Sequence, residues 1–227
     1  GKTEVAEFMT QYYDCLMPNI SNTIFSDVNV RKALAYSIDK GDIISRALLN
    51  HAVAADFPVP PDSWLYDGKL KIYEYNTAKA QELLETSGWK DTNGDGYYEK
   101  EVNGKQQQLA CDLTVLKTKD ITYKIDVATL VKEQLKNIGF KIENINELEW
   151  DDYQAALKNK NFDLALCSFY MDRSPDLAFL MDTNGTENYS GYQSTKMDEL
   201  LSKCSSAVKE DDLKKAYGNL QQAFVDE

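Results

Sequence analysis

The sequence predicts an α/β fold in which a mixed sheet is flanked by helices. Beyond about residue 109, apolar strand patterns alternate with amphipathic helical patterns, the order that βαβ units produce. The run from Phe162 to Phe169 is apolar enough to lie centrally in a sheet. The composition, 43% hydrophobic and 27% charged over 227 residues, is that of a soluble globular chain, with enough length for one large domain or two small ones.

The elements follow in order. Residues 11 to 19 read as a strand entering a turn at Pro18. Asp27 caps a helix from Val28 to about Ser37, with Val30, Leu34 and Ile38 on one face. Asp39 or Asp42 restarts a short helix through Ile43, Ile44, Leu48 and Leu49. Pro58, Pro60 and Pro61 cannot be helical and predict an extended surface connection. Asn76 opens the next helix, Ala78, Leu83 and Leu84 line its inner side, and Gly88 ends it.

Leu109, Cys111, Leu113 and Val115 then alternate as one face of a strand. A long amphipathic helix carries Ile125, Ala128, Leu130, Val131, Leu135 and Ile138 and stops at Gly139. Phe140, Ile142 and Ile145 supply a second strand. A short helix from Trp150 to Leu157 leads to the third strand, Phe162 to Phe169. Met197 to Val225 reads as two helices joined near Glu210-Asp211.

A net charge of −12 disfavours nucleic acid and anionic membrane surfaces, whose phosphates would be repelled. No apolar run approaches the roughly 20 residues of a membrane span. No stretch has the pattern of a signal peptide, a lipid-attachment cysteine or a targeting tail. Cys15, Cys111, Cys167 and Cys204 are too far apart for a zinc ribbon or a CxxC redox pair, and buried free thiols are the expected state. With His51 the only histidine, any Ser-His-Asp or Cys-His triad would have to be built around it. The adjacent carboxylates Asp151 and Asp152 point about 100° apart on a helix, which is poor geometry for a paired-acid hydrolase. The chain opens at Gly1-Lys2-Thr3 and stops at Val225-Asp226-Glu227 inside a helical pattern, so it is read as part of a longer protein.

The helix pair DVNVRKALAYSIDKGDII, the connection FPVPPDSW, NTAKAQELLETSGWKDTNGDGYYEK, ATLVKEQLKNIGFKIE, Glu149-Trp150-Asp151-Asp152-Tyr153, and Phe162 to Phe169 follow one another in that order. Together they resemble the extracellular solute-binding proteins of ABC importers, in the family of oligopeptide-, dipeptide- and nickel-binding receptors (family 5). The resemblance implies one lobe of a two-lobed, periplasmic-binding-protein-like fold of the class II or cluster C type. Residues 1–227 would form a single C-terminal ligand-binding lobe. It further implies a monomeric, extracytoplasmic receptor that is not an enzyme. Such a receptor passes a peptide or other small solute to permease subunits and meets the membrane only through a lipid anchor outside this segment. A peptide-sensing protein on the same fold is the alternative.

In the family's peptide-binding members, the strand after the Phe-Asp pair lays its backbone along the peptide, and an aspartate at its end receives the free amine. That position falls on Asp172, with Ser168 and Tyr170 beside it if alternate residues share a face. A buried ammonium needs such an anionic partner, although an aspartate capping the turn before Pro175 would look the same. The loop is one residue shorter than the usual form, so Met171 competes for the acidic slot. Phe169 stands where tryptophan is common, and Leu166 where the oligopeptide receptor has an arginine, which leaves the ligand open. Asn188 and Tyr192, in the loop Asn184 to Tyr192, complete the expected contacts.

Asp91, Asn93, Asp95 and Gly96 reproduce the D-x-N-x-D-G start of a calcium loop. Position twelve is Val102 instead of glutamate, with Glu99 and Glu101 near but out of register. The turn chemistry of Asp, Asn and Gly explains the segment without an ion, as in similar turns of the family. No cofactor is expected beyond a structural calcium at this turn.

Overall fold

The computed structural model describes residues 10–70, 73–119 and 122–227; Gly1-Lys2-Thr3 lie outside the described residues. Six strands and nine helices are defined among them: β1 (Tyr12–Pro18), α1 (Thr23–Ser26), α2 (Val28–Ser37), α3 (Lys40–Ala47), α4 (Thr77–Thr86), β2 (Glu99–Val102), β3 (Lys105–Gln108), β4 (Ala110–Leu116), α5 (Tyr123–Lys136), β5 (Lys141–Leu148), α6 (Trp150–Lys158), β6 (Leu164–Tyr170), α7 (Ala178–Met181), α8 (Thr195–Ser206) and α9 (Glu210–Asp226).

The main sheet has the order β1-β6-β4-β5. β6 and β5 both run parallel to β4, and β1 runs antiparallel to β6. The sheet is therefore mixed and flanked by helices. Each face carries its own apolar layer. Leu113, Val115, Leu164 and Leu166 face α2, α4 and α5, where they meet Leu34, Leu84, Val131 and Leu135. Ala165, Cys167, Phe169 and Met171 face the other way, onto Tyr153, Leu157, Leu201, Tyr217 and Leu220 of α6, α8 and α9. The period of two in strand side chains is what lets one strand serve both layers.

Helix starts follow the sequence closely. Asp27 accepts the Asn29 N–H at 2.8 Å, and Asn76 accepts that of Lys79 at 2.9 Å. Of the two aspartates that could restart the third helix, Asp39 is the cap, accepting the Asp42 N–H at 3.0 Å. That helix ends at Ala47, so Leu49 falls outside it, exposed and at positive φ. In α4 the inner residue is Ala80, and Ala78 is exposed.

The Pro-rich connection departs most from expectation. It is irregular as foreseen, but Phe57, Val59 and Leu65 are almost fully buried in the second layer. Proline excludes helix without deciding burial, and packing these apolar side chains into the layer removes them from water. The sequence reading also lacked the β2–β3 hairpin, which turns at Asn103-Gly104 with both residues at positive φ.

Polar pins hold the strands at their junctions. The buried Asn19 side-chain amide donates to the carbonyls of Lys160 and Phe162 at 2.9 and 2.8 Å. Asp163 accepts from the Asn22 amide at 2.8 Å and from the Asp112 N–H at 3.1 Å. These bonds join β1, β4 and β6 at one end of the sheet, where the pairing of β4 with β5 also shifts register between Cys111 and Leu113.

Gly139 ends the α5 segment at φ +78°, and a Cβ there would lie 2.3 Å from the Tyr98 ring. Gly139→Ala combines left-handed strain with overpacking and should cost about 2–5 kcal/mol in urea unfolding. All four cysteines are free thiols, and Cys111, Cys167 and Cys204 are buried. Burial pushes Cys167 up to about 11; burial, with the charge of Asp176, does the same for Cys204. A pKa raised by about two units leaves roughly 100-fold less thiolate near pH 8. Native protein should therefore react with a disulfide reagent at least about 100-fold more slowly at these positions than urea-unfolded protein.

Candidate functional site

In sheets with parallel strands, ligands bind outside the carboxyl ends of the strands. At that end β6 outruns its neighbour. It pairs with β1 along its whole length, but with β4 only from Leu164 to Leu166. From Cys167 to Tyr170, the side of β6 toward β4 has no strand partner among the described residues. An open strand edge presents backbone N–H and C=O groups to an incoming extended chain.

Side chains on the α5 face change character along this overhang. Leu164 and Leu166 are buried, Ser168 is half-buried, and Tyr170 is 60% exposed. The cause is that the helix covering this face begins at Tyr123. The antiparallel register sets Asp14 opposite Ser168 and Tyr12 opposite Tyr170. The two tyrosine rings meet edge to face at 5.8 Å.

A hydrogen-bonded chain crosses this junction. The Lys124 amine, on a side chain only 5% exposed, donates to Ser168 Oγ at 2.6 Å. Ser168 in turn donates to the Asp14 carboxylate, whose other oxygen accepts from the Tyr123 hydroxyl at 2.8 Å. The buried ammonium thus has its counter-charge within two bonds, which a burial this deep requires. Burial first, and the Asp14 charge second, hold the Tyr123 hydroxyl well above its ordinary pKa.

Asp172 follows directly. Met171 anchors the chain before it, with its side chain buried and its N–H donating to the Gln11 carbonyl at 2.7 Å. Arg173 anchors it after: its carbonyl accepts from the Ser63 hydroxyl, and its guanidinium reaches Asp62 at 3.4 Å. Between the anchors, Asp172 is exposed and accepts no hydrogen bond from the described residues. Nothing here has the geometry of a turn cap.

Ser168, Tyr170 and Asp172 therefore come together at the carboxyl end of β6. Phe169 and Met171 flank them in sequence but point into the opposite layer; Phe169 packs edge-on against Phe179. Side-chain contact with a ligand on the α5 face is closed to both by strand alternation. Asn188 and Tyr192 lie elsewhere. Their loop joins the amino end of β6, where Ile20 donates to the Ser190 carbonyl, about 20 Å along the strand from Tyr170. The Asn188 amide is fully used within its own loop, donating to the Asp182 and Tyr192 carbonyls and accepting from Ser190 and Gly191. The Tyr192 hydroxyl donates to Glu227.

Sequence reasoning missed Tyr12, Asp14, Tyr123 and Lys124. The signal was present for one of them. Lys124, Val127, Ala128, Val131 and Leu135 fall on one helical face, so the lysine lay on the inner stripe. A polar hollow of about 480 Å³ opens at the amino end of the strands, lined by Asn19, Asn22, Asp112, Asn146 and Asp163. Its carboxylates are consumed by its own walls, with Asp112 accepting from Asn144 and Asn146.

The mixed sheet flanked by helices is the fold of part of a periplasmic binding protein. The chain belongs to the bacterial extracellular solute-binding proteins, family 5, whose middle-region model matches residues 1–191. The oligopeptide-binding protein AppA of Bacillus subtilis is 29% identical over 216 residues, spanning 92% of this chain and 38% of that protein. Its structure in complex with a nonapeptide superposes with a TM-score of 0.85 at 28% identity, covering 96% of this chain and 43% of the other. NikZ of Campylobacter jejuni in complex with Ni(L-His) gives a TM-score of 0.79 at 25% identity, covering 95% and 43%. The chain spans about two fifths of the length of these relatives. The family is one of binding proteins, and no helix among the described residues is long and apolar enough to cross a membrane.

Removing the central hydroxyl tests the buried chain of charges. Ser168→Ala should destabilise the fold by about 1–3 kcal/mol in urea unfolding, because it leaves the Lys124 amine buried without its acceptor. Adding Lys124→Met should restore much of that loss, since an apolar side chain of similar length needs no partner.

Proposed function

We propose that this chain is one ligand-binding lobe of an extracytoplasmic receptor that serves an ABC importer, and that it holds an extended peptide against the free edge of β6. The observation that carries this reading is the pairing of that open edge with the exposed, doubly anchored Asp172 at its end. Main-chain groups of Cys167 to Tyr170 would pair with the peptide backbone, which tolerates varied side chains. Asp172 would receive the amino terminus. Tyr12 and Tyr170 offer apolar surface beside the edge with little entropy to lose. Backbone pairing and a carboxylate bind a solute without transforming it, so the role is carriage, with release to a permease on opening of the cleft. The likeness to peptide- and nickel-complex-binding relatives supports a small-solute role. The choice of peptide rests on the strand edge.

A second lobe would close the cleft, so this chain alone should bind peptides far more weakly than a two-lobed receptor that carries it. In such a receptor, Asp172→Asn should weaken peptides with a free amino terminus by roughly 2–4 kcal/mol in calorimetry. N-acetylated peptides carry no ammonium and should lose much less. Equal losses for both would reduce Asp172 to a loop residue and remove the amine-binding role.

A further inference from the structure

The acidic loop between α4 and β2 lies apart from the strand-end site. Tyr98 donates its N–H to the Gly139 carbonyl at 2.8 Å, so the loop packs beyond the carboxyl end of α5. Lys124 stands at the other end of that 14-residue helix, about 20 Å away. The loop is closed by an antiparallel bridge between Lys90 and Glu99, which brings the chain back on itself across Asp91 to Tyr98.

That closure places Glu99 where the linear motif had no ligand. One carboxylate oxygen from each of Asp91, Asp95 and Glu99 lies within 4.8 Å of the others. Oxygens bound to one calcium ion at about 2.3–2.6 Å are separated by no more than about 5 Å, so the three can share a centre. Glu99 is only 6% exposed. Its Oε1 accepts from the Thr92 N–H at 2.7 Å and from the Thr92 hydroxyl, while Oε2 is buried with no hydrogen-bond partner. Among the described residues, no lysine or arginine forms an ion pair with any of the three acids. A buried carboxylate oxygen with neither donor nor counter-charge is costly in an apo protein, and a cation supplies both at once.

We infer that Asp91, Asn93, Asp95 and Glu99 form a site for a divalent hard cation, calcium by its ligand chemistry. In loop numbering these are positions one, three, five and nine, with the Tyr97 carbonyl at position seven and Gly96 at the bend. The loop's own bonds leave lone pairs for the ion. Asp91 accepts the Gly94 and Gly96 N–H groups, one on each oxygen. Asp95 accepts the Tyr97 N–H on one oxygen and the Asn93 side-chain amide on the other, and the Asn93 side-chain oxygen accepts the Asp95 N–H. Each bond takes one of an oxygen's two acceptor positions. Glu99 does the work that Val102, at position twelve, cannot. Three carboxylates against a doubly charged ion leave a net charge of −1, against −3 in its absence.

Calcium chloride titrated into the 227-residue chain, stripped with EDTA and desalted, tests this. Calorimetry should show one site, and about 5 mM calcium should raise the Tm by at least about 3 °C over EDTA. Glu99→Gln keeps the side-chain shape but loses the charge. It should cut calcium affinity at least about tenfold while melting in EDTA no lower than the parent chain, since the uncompensated buried charge is gone. Asp95→Asn, at an exposed position, should weaken calcium similarly and carries the test alone if the Glu99 variant does not fold. No calcium shift in the parent chain, or less than a tenfold loss in a folded variant, would overturn the site.

Discussion

Everything in this lobe hangs on the register of β6. From Leu164 to Cys167 the strand is buried on both faces, and its odd and even residues belong to different apolar layers. A slip of one residue would send Leu164 and Leu166 toward α8 and α9, and would drive Phe169 into the space beneath α5. It would also exchange Ser168 for a bulky apolar neighbour opposite Lys124. The register is accordingly fastened at both ends. Asp163 and Asn19 tie it at one, and the Met171 and Ser168 bonds tie it at the other. The open edge and Asp172 are consequences of where that fastened strand ends.

Local physics made the elements legible. The period-two run at 109–116 became β4 and the apolar run at 162–169 became β6, and Asp27, Asn76 and Gly139 marked helix ends where capping and positive φ require them. Placement across the chain was less readable. Pro58 to Leu65 looked like surface because proline breaks regular structure, yet its apolar side chains plug the second layer. The hairpin at Asn103-Gly104 has polar strands with no hydrophobic alternation to announce them. The site divided along the same line. Ser168, Tyr170 and Asp172 are neighbours by strand alternation, which a sequence displays. Asp14 and Lys124 join them only through pairing across the sheet and helix docking. Asn188 and Tyr192 looked like ligand groups by type, but their loop folds at the far end and uses the asparagine on its own backbone.

The electrostatics of the two ends differ in kind. At the strand-end site Lys124 and Asp14 neutralise one another, which leaves Asp172 as the unsatisfied charge facing outward. A neutral platform with one anion beside it attracts a cationic group without holding anions. At the amino end the carboxylates of Asp112 and Asp163 are spent on backbone and amide donors. The same residue type thus serves as glue in one place and stands exposed, with no hydrogen bond from the described residues, in the other. Hydrogen-bond partners, and not acidity, distinguish the two.

The pairing of β1 with β6 sets an order of events for folding. Asp14 and Ser168 are 154 positions apart, and Arg31 reaches the carbonyl of Glu227 across 196. As the chain emerges, β1 comes first but has no partner until β6 follows. The segments between them can collapse around α2, α4, α5 and β4–β5, whose contacts are closer in sequence, but the second layer must wait for the last helices. The lobe therefore folds late relative to its synthesis, and through much of it a tyrosine-rich edge strand is left without its neighbour.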